Sequence, residues 1–279
     1  MMKKGGMHRI QQSYRDASNM MVTKSRKSLG ECYFAGVLHS ISGPFAGVKI
    51  IRRKIMALKK VKRKAVSQNP KVMLLYGAPK VGKTTALSQL EDCLIIDTEG
   101  GANMVDGYIE EVNSREELFD LLTEAKKGHE YKYVAIDTID KIADWADKAV
   151  CTSEGVSAIQ ALAFGKGFAM VRDKVLNLVK VMKDIFPHVI VIGHRKWARA
   201  VVDSKAIVEP ESLDLTGKLK NMLMADCDAI GYVYRDDEKG DLMVSFKANE
   251  SLEAGSRSPH LKGKDMKLNW NNIYKKESK

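Results

Sequence analysis

The chain has 279 residues, 46 of them Lys or Arg and 35 Asp or Glu, a formal net charge of +11. At 44% apolar and 29% charged it has the composition of a globular protein with a sizeable core. No apolar run approaches the ~18 residues that a membrane-spanning helix needs. Cys32, Cys93, Cys151 and Cys227 lie far apart with no CxxC pair, which argues against a zinc ribbon or a disulfide framework and for a reducing, cytoplasmic setting.

The positive charge is concentrated at one end. Residues 1–64 carry 16 Lys and Arg against two acids, Asp16 and Glu31, while residues 65–279 carry 30 against 33. The body is therefore nearly neutral, and a nucleic-acid argument about it must rest on local patches. Residues 1–55 show no sustained period and read as a basic, disordered leader, with the folded domain at 56–279; Met56 is a natural start. A nucleic-acid-binding tail and a transit peptide are competing readings of the same composition.

From residue 71 the elements alternate. KVMLLY (71–76) predicts a buried strand, and the helix after it is predicted over 84–90. Between them Gly77, Ala78, Pro79, Lys80, Val81, Gly82, Lys83 and Thr84 match G-x-x-x-x-G-K-[ST] in every fixed position, in the strand-to-helix context that the motif requires. Glycines let successive amides turn inward on phosphate oxygens, and the helix start adds partial positive charge. The pattern predicts Lys83 on the β- and γ-phosphates of a nucleotide such as ATP, Thr84 on Mg²⁺ and Thr85 near the α-phosphate. CLIID (93–97) predicts the second strand, with Glu99 just beyond it. Ser114 and Glu117 form a capping box ahead of Leu118, Leu121 and Leu122 at helical spacing.

YKYVAID (131–137) predicts the third strand and ends in Asp137, which suits an acid in the metal's water shell. Thr138 follows it, so the base that activates water must come from elsewhere. Glu99 is the candidate, since parallel strands end on one ligand-binding edge; the alternative for Glu99 is a solvated loop acid. Asp97 and Asp140 are lesser candidates, Asp140 as a cap of the next helix. Phe168, Val171, Val175, Leu178, Met182 and Ile185 mark one face of a long helix. HVIVIG (188–193) predicts the fourth strand, closed by His194, either a γ-phosphate sensor or a histidine bonded to a backbone carbonyl. Two later strands are predicted over 229–234 and 242–246, joined by a turn at 236–240. Strands separated by helices predict an α/β fold with a mostly parallel sheet.

GAPKVGKTT, IIDTEGG with Glu99 sixteen residues after Lys83, YVAIDTID and VIVIGH together resemble the RecA-like ATPase core. They are similar above all to its phage-encoded, core-only members, the Sak-type single-strand annealing ATPases. The resemblance spans residues 56–275 and includes DLTGK (214–218) and ADCD (225–228). It implies a RecA-like P-loop NTPase core with helices flanking the sheet, ATP and Mg²⁺ as cofactors, Lys83 and Thr84 on phosphate and metal, Asp137 on the metal's water shell and Glu99 as base. His194 stands where the family commonly carries Gln. No counterpart of RecA's own terminal parts is recognisable, so filament formation and strand exchange are not implied.

In such a core two loops face DNA, here residues 151–167 with Lys166, and residues 195–216. The second opens with Arg195, Lys196, Trp197 and Arg199, cations around an indole on which a base can stack. Lys218, Lys220 or Arg257 could reach the ATP of a neighbouring subunit. The resemblance thus implies a cytoplasmic, homo-oligomeric ATPase of phage recombination or replication that binds single-stranded DNA, with a single-strand binding protein as a further partner. An ATP-switched scaffold or loader and a small-molecule P-loop kinase are the alternatives; no Arg-rich kinase lid is visible.

Overall fold

A computed structural model describes residues 67–196, 211–249 and 251–276. The basic leader, Trp197 and Arg199 lie outside the described residues. In chain order the elements are β1 (Val72–Gly77), α1 (Lys83–Ser88), β2 (Cys93–Asp97), β3 (Tyr108–Glu111), α2 (Arg115–Lys127), β4 (Tyr133–Asp137), α3 (Ile139–Glu154), α4 (Lys166–Ile185), β5 (His188–Lys196), β6 (Ser212–Leu213), α5 (Gly217–Asp226), β7 (Ala229–Arg235), β8 (Leu242–Ser245), β9 (Gly255–Ser256), β10 (Asp265–Lys267) and α6 (Trp270–Ile273).

The main path of the sheet runs β10-β8-β7-β1-β5-β4-β2-β3. From β7 to β3 every neighbouring pair is parallel. Antiparallel β8 and β10 extend one edge. β5 lies between β1 and β4, so the strands that carry the phosphate loop and Asp137 are second neighbours.

The central strands read as unbroken apolar runs because both of their faces are covered. Alternate residues serve opposite layers. Val72, Leu74 and Tyr76 of β1 pack with the buried sides of α2, α3, α4 and α5. Met73 and Leu75 pack with Ala86 and Leu87 of α1 and with the C-terminal residues Trp270, Ile273 and Tyr274. The Trp270 indole N–H donates to the Ala86 carbonyl at 2.6 Å, tying α6 to the helix behind the phosphate loop. Among the described residues no helix is long and apolar enough to cross a membrane.

The cap forms in a variant way: Ser114 Oγ accepts from Glu117 N at 3.2 Å, while Glu117 Oε2 reaches one residue past the cap and accepts from Asn113 N at 2.8 Å. The turn at 236–240 forms too, with Asp236 Oδ1 accepting from Glu238 N and Lys239 N. Other expectations shift. The third strand starts at Tyr133, and β5 runs on to Lys196 because β6 pairs with its end, Arg195 with Leu213 and Lys196 with Ser212. The supposed loop 151–167 shortens at both ends: its first residues finish α3 and its last open α4, with two 3₁₀ turns between them. β3 and α5 were not legible in the sequence. β3 is a largely exposed edge strand with no apolar alternation.

Candidate functional site

The phosphate loop follows β1 at the sheet's C-terminal edge. Two features fix its path. A Cβ on Gly77 would stand 2.3 Å from the Val233 carbonyl oxygen of the neighbouring strand, so only glycine fits. Gly82 takes φ +115°, and Lys80 takes φ +61°, left-handed conformations that curl the loop inward. The side chain of Lys83 is folded into this curl: its Nζ donates to the carbonyls of Gly77 at 3.2 Å and Ala78 at 2.9 Å. Lys83 is buried, and that burial lowers its pKa, against the opposing pull of Asp137, Asp140 and Glu99. A cation so placed, short of solvent and facing carboxylates, is poised for phosphate oxygens.

Thr84 and Asp137 meet at the mouth of the loop, the hydroxyl donating to Asp137 Oδ2 at 2.5 Å. Asp137 is buried, which raises its pKa; the Thr84 hydrogen bond and the Lys83 charge oppose that rise. A hydroxyl and a carboxylate are hard oxygen donors. They fit Mg²⁺, which takes one or two protein oxygens and completes its shell with phosphate and water. Among the described residues no cluster of three or more His, Cys, Asp or Glu side chains that could hold a metal occurs.

Register brings the acids together. Asp97 of β2 pairs with Asp137 of β4, so the two strands end level. Beyond them Thr98 N donates to the Asp137 carbonyl at 2.9 Å, and Thr138 N donates to Thr98 Oγ1, also at 2.9 Å. Asp97, only 4% exposed, accepts four amides of the next turn: Oδ1 takes those of Glu99 (3.0 Å), Gly100 (2.9 Å) and Gly101 (3.3 Å), and Oδ2 that of Ala102 (2.8 Å). This carboxylate shapes the turn from which Glu99 projects. Glu99 Oε1 accepts from the Thr138 hydroxyl at 2.7 Å.

His194 lies beside the same group, its Nδ1 3.3 Å from Asp140 Oδ2 and 4.0 Å from Glu99 Oε1. Among the described residues its ring meets these two carboxylates rather than a backbone carbonyl. Thr138 holds the N-cap position of α3, and Asp140 is the acid of its first turn: its carboxylate meets its own backbone N–H, and Oδ2 accepts the His194 backbone N–H at 3.0 Å. Burial raises the Asp140 pKa, opposed by that N–H, by His194 and by the Thr138 hydroxyl. The expected site residues of the loop, Glu99, Asp137 and His194, thus converge on one edge. Sequence reading gave Asp97 and Asp140 lesser roles and none to the Thr138 side chain. A usable signal was present: an Asp two residues before a Glu-Gly-Gly turn is the pattern of a side chain capping that turn.

The residues suggested for DNA and for a neighbour's ATP are differently placed. Arg195 Nη1 donates to Glu211 Oε1 at 2.8 Å and to the Tyr232 hydroxyl at 2.9 Å, which engages it within the chain. Lys166 pairs with Glu154 at 2.6 Å. Lys196 is exposed at the end of β5. Lys220 Nζ pairs with Glu253 at 2.7 Å and Ser212 at 2.8 Å. Arg257 is bound to Asp228 and the Ala225 carbonyl beside the opposite, N-terminal end of β1, where Asp228 also accepts from Val72 N. Lys218 is exposed on the first turn of α5.

No curated protein matches this sequence. Among solved structures, the crystal structure of the RadB recombinase is similar over 74% of this chain and 90% of its own, at 15% identity and a TM-score of 0.41. The AAA domain family model matches residues 69–258, which takes in the phosphate loop, both acids and β1 through β9. The match takes in the phosphate loop, the level acidic strand ends and the inserted β5, and the chain belongs to the AAA domain family.

Proposed function

We propose that this chain is a Mg²⁺-dependent ATPase that works on single-stranded DNA in phage recombination or replication, promoting annealing or pairing as a homo-oligomer. The observation that carries the hydrolytic reading is the side-by-side placement of Asp137 on Thr84 and Glu99 on Thr138 at the mouth of the phosphate loop. The loop amides and Lys83 hold the triphosphate. Thr84 and Asp137 hold the Mg²⁺ position. A Mg²⁺ held by Thr84 and Asp137 would supply charge neutralisation to the phosphates. Glu99 takes a proton from water as the water oxygen bonds to the γ-phosphorus. The bond from that phosphorus to the β–γ bridging oxygen breaks, giving ADP and phosphate.

The DNA part of the reading is supported by composition. The chain leaves β5 through Lys196, Trp197 and Arg199, and stacking on such an aromatic is worth roughly 1–3 kcal/mol per base. A single-strand binding protein is the further partner this role calls for.

The test is ATP turnover with and without single-stranded DNA, together with binding at two salt concentrations. DNA is expected to raise the rate, and its affinity to fall steeply with salt. An unaltered rate together with no salt-sensitive binding rejects the DNA role. Glu99→Gln is expected to slow hydrolysis by roughly 100-fold or more while keeping nucleotide affinity; hydrolysis at the original rate rejects Glu99 as base.

A further inference from the structure

Glu99 projects from a turn beyond β2, and its side chain is 40% exposed. A glutamate there has several rotamers open to solvent, and only some put its carboxylate beside the phosphate loop. Its neighbour across the strand ends is fixed much more firmly. Thr138 is 1% exposed. Its amide donates to Thr98 Oγ1 at 2.9 Å, and its carbonyl accepts from the same hydroxyl at 3.3 Å. Thr98 Oγ1 also lies 3.1 Å from the Asp137 carbonyl, so the segment that follows the metal acid is locked to β2.

Thr138 occupies the N-cap position of α3, where a threonine hydroxyl ordinarily accepts an amide of the first turn. Here it makes no cap hydrogen bond. The hydroxyl instead donates to Glu99 Oε1 at 2.7 Å, and the Asp140 carboxylate lies within its reach as well. The side chain has given up a local structural task and faces the reacting edge.

We propose that Thr138 is a positioning residue for Glu99. Resting on the reading of Glu99 as base, the inference adds how that base is aimed. The buried hydroxyl holds one carboxylate oxygen, which leaves Oε2 to receive the proton of the attacking water. The sequence hides this role, because the position after Asp137 lacks an acid and so looks empty of chemistry. The hydroxyl there acts through the acid of the adjacent strand.

The test uses the full chain and compares Thr138→Val, Thr138→Ser, Glu99→Gln and the Thr138→Val/Glu99→Gln pair, measuring kcat, KM and nucleotide Kd. Valine keeps the shape and the backbone bonds but removes the donor. Thr138→Val is expected to lower kcat by about 10- to 100-fold with nucleotide Kd within about twofold of the parent. Serine is expected to restore kcat to within about threefold, and in the Glu99→Gln background valine is expected to cost less than about twofold. Turnover of Thr138→Val within about twofold of the parent overturns the proposal. So does loss of nucleotide binding in that variant, or failure of serine to restore the rate, either of which marks a structural role. Full activity of Glu99→Gln removes the base assignment itself, an outcome distinct from these.

Discussion

Replacing Asp97 with asparagine tests how the Glu99 turn is held. The carboxylate is nearly inaccessible and accepts four backbone amides, three on Oδ1 and one, from Ala102, on Oδ2. Asparagine can keep the three bonds to its oxygen, without the charge that strengthens them. Its amide nitrogen then faces the Ala102 N–H, donor against donor, and Ala102 is itself buried. Flipping the amide is worse, since three donors lose their acceptor. A lost charge-assisted bond and a buried orphan amide together cost about 2–4 kcal/mol. At a urea slope of about 2–3 kcal/mol per molar, the unfolding midpoint falls by about 1 M. Turnover falls as well, because Glu99 loses its fixed base, while nucleotide affinity is kept by the separate phosphate loop. Urea denaturation and steady-state ATPase assays read the two effects. An unmoved midpoint with parental turnover refutes the reasoning.

Lys83→Ala removes the cation that faces phosphate and is expected to weaken ATP binding by roughly 10- to 100-fold, read by titration with a fluorescent nucleotide; parental affinity refutes it. Asp137→Asn has two opposed outcomes. Burial raises the Asp137 pKa above 3.8, so its charged form destabilises the nucleotide-free fold. That stability is intact below the unfolded pKa and is lost as pH rises through the folded one. Asparagine is therefore expected to be the more stable protein in thermal melts near neutral pH, with the gap closing below about pH 3.8. The same variant is expected to lose Mg²⁺-dependent tightening of ATP binding. A less stable variant at neutral pH contradicts the electrostatic reading.

The phosphate loop was legible because its chemistry is written in consecutive residues with fixed spacing, Gly77 to Thr84. Asp137 and Glu99 were legible by a further step: apolar runs mark strands, parallel strands end on one edge, and acids just past those ends face each other. The sheet order was not legible, since VAID and VIVI are equally good central strands and nothing local says that β5 inserts between β1 and β4. β3, with Tyr108, Glu110 and Glu111 exposed at the sheet edge, gives no alternating pattern to detect. The tasks of Asp97, Thr138 and Asp140 depend on partners 39 or more residues away, or on a turn's backbone amides, and a linear pattern does not display these. Arg195 is a further case: a cation in a cluster attractive for DNA bonds within the chain to Glu211 and Tyr232, partners that the local sequence does not reveal.

The zipper of Thr98, Asp137 and Thr138 has a mechanical consequence. It ties the backbone at the tips of β2 and β4 together, so Asp137 and the turn that carries Glu99 are held level. Lys83 and Thr84 follow β1 in the same sheet, and β5, the strand bearing His194, pairs with both β1 and β4. A nucleotide held between the phosphate loop and these acids would therefore lie across the end of the strand that bears His194.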